Sequence, residues 1–204
     1  DLGQFWTEKE IQDILQPTNN EDTNLRQFSV IRIPSHLDGN VFGGWAAARW
    51  RREPSDDYDK FLEWKKAPSS HTIRTSDMAR DIADLIDKWT GGWRGFIITV
   101  PPPRVSVGQE YPAGFLGREI ATRLGVDFMT VFDEPADIAN KRHWPILQLE
   151  EELTGLPMIK TRPPCPVILV DDMMTSGATG RRCLAALRPE TPVWFFCWIT
   201  NAGR

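Results

Sequence analysis

Asp171 and Asp172 stand side by side after four apolar residues in the stretch "VILVDDMMTSGAT", Val167 to Thr179. Adjacent carboxylates at the end of a buried strand repel each other and lose hydration, so they call for hydrogen-bond donors or a cation. A vicinal diol answers that need through its two hydroxyls, and a nearby divalent metal would offset the charge. Thr175, Ser176, Gly177, Ala178 and Thr179 follow, with small side chains and exposed amides leading into a helix start. That arrangement suits a phosphate, because the first amides of a helix have no acceptor of their own. A plain turn with Ser and Thr capping the next helix accounts for each residue separately. The order of acids first and phosphate-sized loop second points instead to a sugar phosphate.

Other familiar chemistry is missing. The chain has no GxxxxGK[ST] phosphate loop, no HExxH metal helix and no GxSxG nucleophile turn. His36, His71 and His143 are scattered, and no glycine fingerprint of a dinucleotide unit follows the first apparent strand.

The elements that must position the two acids can be read from periodicity. "TSDMARDIADLIDKW" puts Met78, Ile82, Leu85, Ile86 and Trp89 on one helical face behind a Thr or Ser cap, and Gly91 and Gly92 stop it. "GFIITV" is a short buried strand followed by the stiff "PPPR". "AGFLGREIATRLG" predicts a helix with Phe115, Leu116, Ile120 and Leu124 inward, and "VDFMTVF" predicts another strand. The polar "DEPADIANKRHW" has the character of a mobile loop before "PILQLEEELTG". After "VILV", "ATGRRCLAAL" predicts a helix and "VWFFCWIT" a last strand. Short apolar strands separated by helices describe an α/β protein with a mostly parallel sheet covered on both faces. Asp171 and Asp172 then fall at a strand's carboxyl end, where open α/β sheets bind ligands.

The first part of the chain is different. "FWTEKEIQDILQ" reads as a short amphipathic docking helix, "LRQFSVIRIPSHL" as a strand, and residues 38 to 70 as an accessory layer or lid. The expected division is an accessory or hood region over 1–74 and a core over 75–204. Trp45, Trp50 and Trp64, interleaved with Arg49, Arg51, Arg52, Lys65 and Lys66, also have the composition of a single-strand nucleic-acid groove. The acidic "SDDYDKFLEW" dilutes that patch, and a core, interface or hood role is favoured.

With 204 residues, the chain is long enough for one substantial core. A net charge of -4 argues against a generic nucleic-acid binder. Cys165, Cys183 and Cys197 are too widely separated for a zinc or iron–sulfur site and read as buried thiols in a reducing compartment. No apolar run spans a bilayer, and "DLGQFWTEKE" lacks the features of a signal peptide. A cytoplasmic protein without membrane contact is expected. The chain begins with Asp rather than Met, which leaves room for residues upstream.

The stretch "VILVDDMMTSGAT" closely resembles the phosphoribosyl-pyrophosphate signature of type I phosphoribosyltransferases. From about Thr75 to Arg204 the arrangement is similar to the ComF-like branch associated with DNA uptake. "ITVPPPRVSVG" stands in the position of the pyrophosphate loop, "GFLGREIATRLG" in that of the glycine–phenylalanine helix, and "ITNAG" in that of the terminal strand. The resemblance implies that Asp171 and Asp172 contact the ribose 2′- and 3′-hydroxyls and that Thr175 to Thr179 enclose the 5′-phosphate. Pro103, Arg104 and Val105 would meet the diphosphate, with Arg104 stabilising it as it leaves. Lys141, Arg142 or His143 could close over it from the polar loop, against a solvated charged face for Lys141 and Arg142 and an interface or core-edge place for His143 beside Trp144; Arg181 and Arg182 suit a solvated helix surface better than phosphate contact. It further implies a magnesium-dependent pentosyltransferase, the metal held mainly by the substrate, with inversion at C1 and an oxocarbenium-like transition state.

Two departures accompany the resemblance. The usual cysteine-rich zinc ribbon is absent, and "YPAGF" places Tyr111, Pro112 and Ala113 where arginines are common. The acceptor, a small-molecule base or amine, is not legible, and a homodimer is compatible with the Trp- and Pro-rich elements. A non-catalytic sensor of phosphoribosyl pyrophosphate or a nucleotide, and a ComF-like DNA-processing protein, stand as alternatives.

Overall fold

The computed structural model describes residues 29–34, 41–49, 56–103, 110–133, 157–174, 177–187 and 191–200. Five strands among the described residues form one sheet: β1 (Ser29–Pro34), β2 (Val41–Arg49), β3 (Ile97–Thr99), β4 (Val167–Met174) and β5 (Val193–Thr200), in the order β1-β2-β5-β4-β3. β2, β5, β4 and β3 run parallel, and β1 adds an antiparallel edge against β2. Among the described residues the helices are α1 (Asp56–Lys66), α2 (Thr72–Thr90), α3 (Pro112–Leu124) and α4 (Ala178–Leu187), with a 3-10 turn at Pro68–Ser70.

Alternation along the parallel strands builds two cores. Ile168 and Val170 of β4, with Phe196 and Trp198 of β5, pack against α1, α2 and α3. Val167, Leu169, Phe195 and Cys197 face the other way, against Cys183, Leu184 and Leu187 of α4. This is the covered parallel α/β sheet that the apolar runs imply.

The inward stripe of α2 is buried at Met78, Ile82, Leu85 and Ile86, and the helix closes on Gly91 in the left-handed conformation. Its start differs from the expectation. His71 is the cap residue and makes no side-chain cap. Thr75 instead lies within the helix, where its Oγ1 accepts a 2.8 Å bond from the indole Nε1 of Trp64. A buried indole N–H needs an acceptor, and that need outranks capping. In α3, Leu116, Ile120 and Leu124 are buried but Phe115 is only half-buried, because Ala113, Gly117 and Ala121 take the inner face. A Cβ on Gly117 would come within 2.7 Å of Val100 Cγ1 and 2.9 Å of the Phe128 ring, so α3 lies unusually close to the sheet edge.

"VDFMTVF" forms no regular strand. It contributes isolated bridges, Ile98 with Phe128 and Phe132 with Ile159: among the described residues its backbone bonds to the β3 backbone through Asp127 O and Met129 N, while Met129 O accepts the Thr99 hydroxyl at 2.7 Å. Residues before 75 join the same sheet and core: β2 pairs with β5, Ala46 is buried against the α4 side, and Phe61 and Trp64 of α1 are fully buried. The expected docking helix at "FWTEKEIQDILQ" and the segment "PILQLEEELTG" lie outside the described residues.

The connections leave the sheet on opposite sides at one place. The loop after β3 leads to α3 on one face, and the loop after β4 leads to α4 on the other. Neighbouring strands that send their loops apart open a crevice at their carboxyl ends, where α/β proteins receive ligands.

Candidate functional site

β4 reaches further than its apolar run suggests. Asp171 and Asp172 lie within the strand, not after it, because β5 continues opposite: Asp171 pairs with Cys197, Met173 with Ile199 and Met174 with Thr200. On its other side β4 loses its neighbour early, since β3 stops at Thr99 opposite Leu169. The acids therefore sit beyond the end of β3, on the open edge of β4 that lines the crevice.

Asp172 is buried at 6% exposure. Its Oδ2 meets the ammonium of Lys65, from the last turn of α1, at 2.8 Å. Asp171 keeps some accessible surface but is deeply surrounded by protein. Its Oδ1 accepts the Asp172 amide at 2.9 Å, and the two side chains are also in hydrogen-bond contact. Burial, and after it the charge of Asp172, hold the Asp171 carboxyl well above the usual carboxylate range, against a smaller opposing pull from Lys65. Burial and the neighbouring charge thus favour the protonated form of Asp171, the expected response of a crowded, desolvated carboxyl group. After them Met173 joins the first core and Met174 the second.

The Cys197 thiol, opposite Asp171, is also pushed well up, by burial and then by the two Asp charges, and it donates to Ile199 O at 3.4 Å. Cys183 is buried and Cys165 half-buried. Burial, followed by Asp127, raises the Cys165 thiol as well, so neither Cys165 nor Cys197 has the character of an activated nucleophile.

Of residues 175–179, Gly177 is buried with φ of 76°, and its carbonyl accepts Arg181 N at 2.9 Å to open α4. Ala178 and Thr179 occupy the first turn, where amides lack helical acceptors. Gly180 lets this turn lie against the Phe195 ring, which a Cβ would approach to 3.2 Å. Thr175 and Ser176 lie outside the described residues. Gly177→Val puts a β-branched side chain on left-handed backbone, at about 1–2 kcal/mol or more. It is expected to lower Tm by at least about 2–4 °C and to weaken binding of ribose 5-phosphate. Lowered Tm with unchanged binding would place the phosphate elsewhere.

Across the crevice, the loop after β3 is anchored at both ends. The Tyr111 hydroxyl donates to the carbonyl of buried Pro101, and the Ser69 amide donates to Glu110 Oε2 at 2.9 Å while the Ser69 hydroxyl donates to Oε1. The Ser69 hydroxyl, and then its amide, hold Glu110 below its ordinary range. Pro103 is half-buried at the loop's start. Arg104, Val105, Lys141, Arg142 and His143 lie outside the described residues. Tyr111 serves as a tether of this loop.

Lys65 is the site residue that periodicity did not nominate; in the sequence it belongs to a run of cations and tryptophans. Trp64, the adjacent member of that run, is a core residue rather than a stacking platform. Trp50, Arg51 and Arg52 lie outside the described residues. Among the described residues no group of three or more His, Cys, Asp or Glu side chains could hold a metal, and no helix is long and apolar enough to cross a membrane.

The sequence matches no protein-family model and no curated protein. Among solved structures, it is similar to the orotate phosphoribosyltransferase of Aeropyrum pernix at 15% identity, with a TM-score of 0.38, over 86% of this chain and 73% of that one.

Proposed function

We propose that the protein is a magnesium-dependent phosphoribosyltransferase that takes phosphoribosyl pyrophosphate and a small-molecule base or amine. The observation that carries this reading is the Asp171–Asp172 pair on the open edge of β4, followed by a positive-φ glycine at the start of α4. Asp171 and Asp172 accept the ribose hydroxyls. Residues 175–179 surround the 5′-phosphate with amides and hydroxyls, and Pro103, Arg104 and Val105 meet the diphosphate. Lys141, Arg142 and His143 close over it. The resemblance to the ComF-like branch supports this assignment, in a cytoplasmic protein whose residues 1–74 form an accessory region that supplies strands and a helix to the core of 75–204.

The donor set fits magnesium brought in by the ligand. Two adjacent carboxyls, one of them already paired with Lys65, make a poor cage, whereas a hard cation that keeps oxygens from diphosphate, hydroxyls and water needs none. Bound in that way beside Asp171 and Asp172, it would neutralise charge on the departing diphosphate. The chain's own part is to fix the sugar by its diol and phosphate, so that a nucleophile held in the crevice faces C1. No covalent side chain is required.

Calorimetry with phosphoribosyl pyrophosphate, with and without magnesium, tests the site, and pyrophosphate release with a panel of bases and amines tests turnover. Magnesium-dependent binding with release is the expected result. Absence of binding overturns the proposal; binding without release for any acceptor replaces the enzyme with a sensor of the same ligand.

A further inference from the structure

α1 and the turn after it reach both walls of the crevice. Lys65, in the last turn of α1, meets Asp172 on β4 at 2.8 Å. Four residues later, Ser69 bonds through both its amide and its hydroxyl to Glu110, where the loop after β3 returns to α3. Between the two contacts Pro68 is buried and its carbonyl accepts the His71 amide at 3.2 Å, so the corner is short and folded in place. On the other side of Lys65, Trp64 is fully buried, and the Lys65 ammonium passes 5.6 Å from the Phe61 ring. The lysine is therefore held from both flanks, with its stem along an apolar surface and its charge on the carboxylate.

From this geometry we infer that Lys65 is a positioning residue of the sugar-phosphate site: it orients Asp172 and balances its charge, so that an anionic ligand can approach the paired acids. The inference rests on the proposed function, since it concerns the same site. A polyanion approaching two acids meets repulsion unless a cation stands among them, and truncating one partner of a buried charge pair leaves the other uncompensated. Lys65 also supplies a cation to a crevice whose "YPAGF" segment has none. A role as a phosphate contact within a nucleic-acid patch is less compatible with an ammonium already engaged by Asp172.

The test compares wild type, Lys65→Met, Lys65→Gln and Lys65→Arg in calorimetric titrations with magnesium and phosphoribosyl pyrophosphate, alongside thermal melts. Met and Gln are expected to weaken binding about tenfold or more, while Arg, which keeps the charge, restores it to within a few-fold. A purely structural role would instead follow Tm and would not separate Gln from Arg. Wild-type affinity in a folded Lys65→Gln variant overturns the inference and leaves the ligand assignment standing. Tighter binding in Lys65→Met also overturns it, because Lys65 would then be a competitor of the ligand. Failure of wild type to bind overturns the ligand assignment and the inference together.

Discussion

Asp171→Asn is expected to raise the Tm of the ligand-free protein while removing most of its affinity for phosphoribosyl pyrophosphate. The sign follows from the proton the acid holds. The folded carboxyl titrates above its ordinary value near 3.8, chiefly through burial and then through the Asp172 charge. Its contribution is therefore fully favourable only below the unfolded value, and is lost as pH rises through the folded one. At neutral pH the unfolded chain gains by releasing that proton, and Asn removes the gain. The stabilisation should be largest near pH 7 to 8 and vanish below about pH 4, with each kcal/mol appearing as about 2–4 °C. Melts of wild type and variant across that range check it. An unchanged Tm at pH 7 would mean that the acid is not held against its charge.

The ligand side of the same substitution has the opposite sign. A hydroxyl donating to a carboxylate is worth about 1.5–3 kcal/mol, so losing it should weaken binding by about one to two powers of ten. Wild-type affinity should also rise with pH as Asp171 gives up its proton, and the variant should lose that slope. A site that is more stable once disabled is the usual mark of residues kept for function rather than for the fold. A stabilised variant with wild-type affinity would show that the sugar lies elsewhere.

Trp64→Ala is expected to be the most damaging single substitution in α1. The indole is fully buried, its Nε1 reaches Thr75 Oγ1 at 2.8 Å, and Phe61 stacks between it and Trp198 at centroid distances of 5.7 and 5.4 Å. Emptying such a position costs about 3–5 kcal/mol, or a fall in Tm of about 6–20 °C in a chain of this size. Trp64→Phe, which keeps much of the volume and loses the N–H bond, should fall less than half as far. Thermal melts rank the three proteins. Equal Tm for wild type and Trp64→Ala would show that α1 is not seated on this core.

How much of this was legible depended on whether the determining contacts were local. The helical stripe of "TSDMARDIADLIDKW" and the bounds of "ATGRRCLAAL" and "VWFFCWIT" follow from periodicity and flanking breakers, and the structure realises all three. The length of β4 was not legible, because two acids and two methionines continue as strand only where β5 offers partners. "GGWAAAR" likewise lacks β-branched residues and becomes strand between β1 and β5. The acid pair and the glycine were nominated by type and order, and the structure sets Asp171, Asp172 and Gly177 along one strand and the turn that follows it. Lys65 was not nominated as a site residue, since nothing near it in the chain indicates that Asp172 is its partner.

β2 lies in the sheet beside β5, although its residues come about 150 positions earlier in the chain. During synthesis that strand must wait, its parallel hydrogen bonds unmade, until every other element of the sheet has been produced. Contacts of such separation slow folding, because much of the ordering must precede the pairing that rewards it. Until β5 arrives, the edge of β2 that will receive it, and the matching edge of β4, remain open to pairing with other chains. β5, which also backs Asp171, thus closes both of these edges at once.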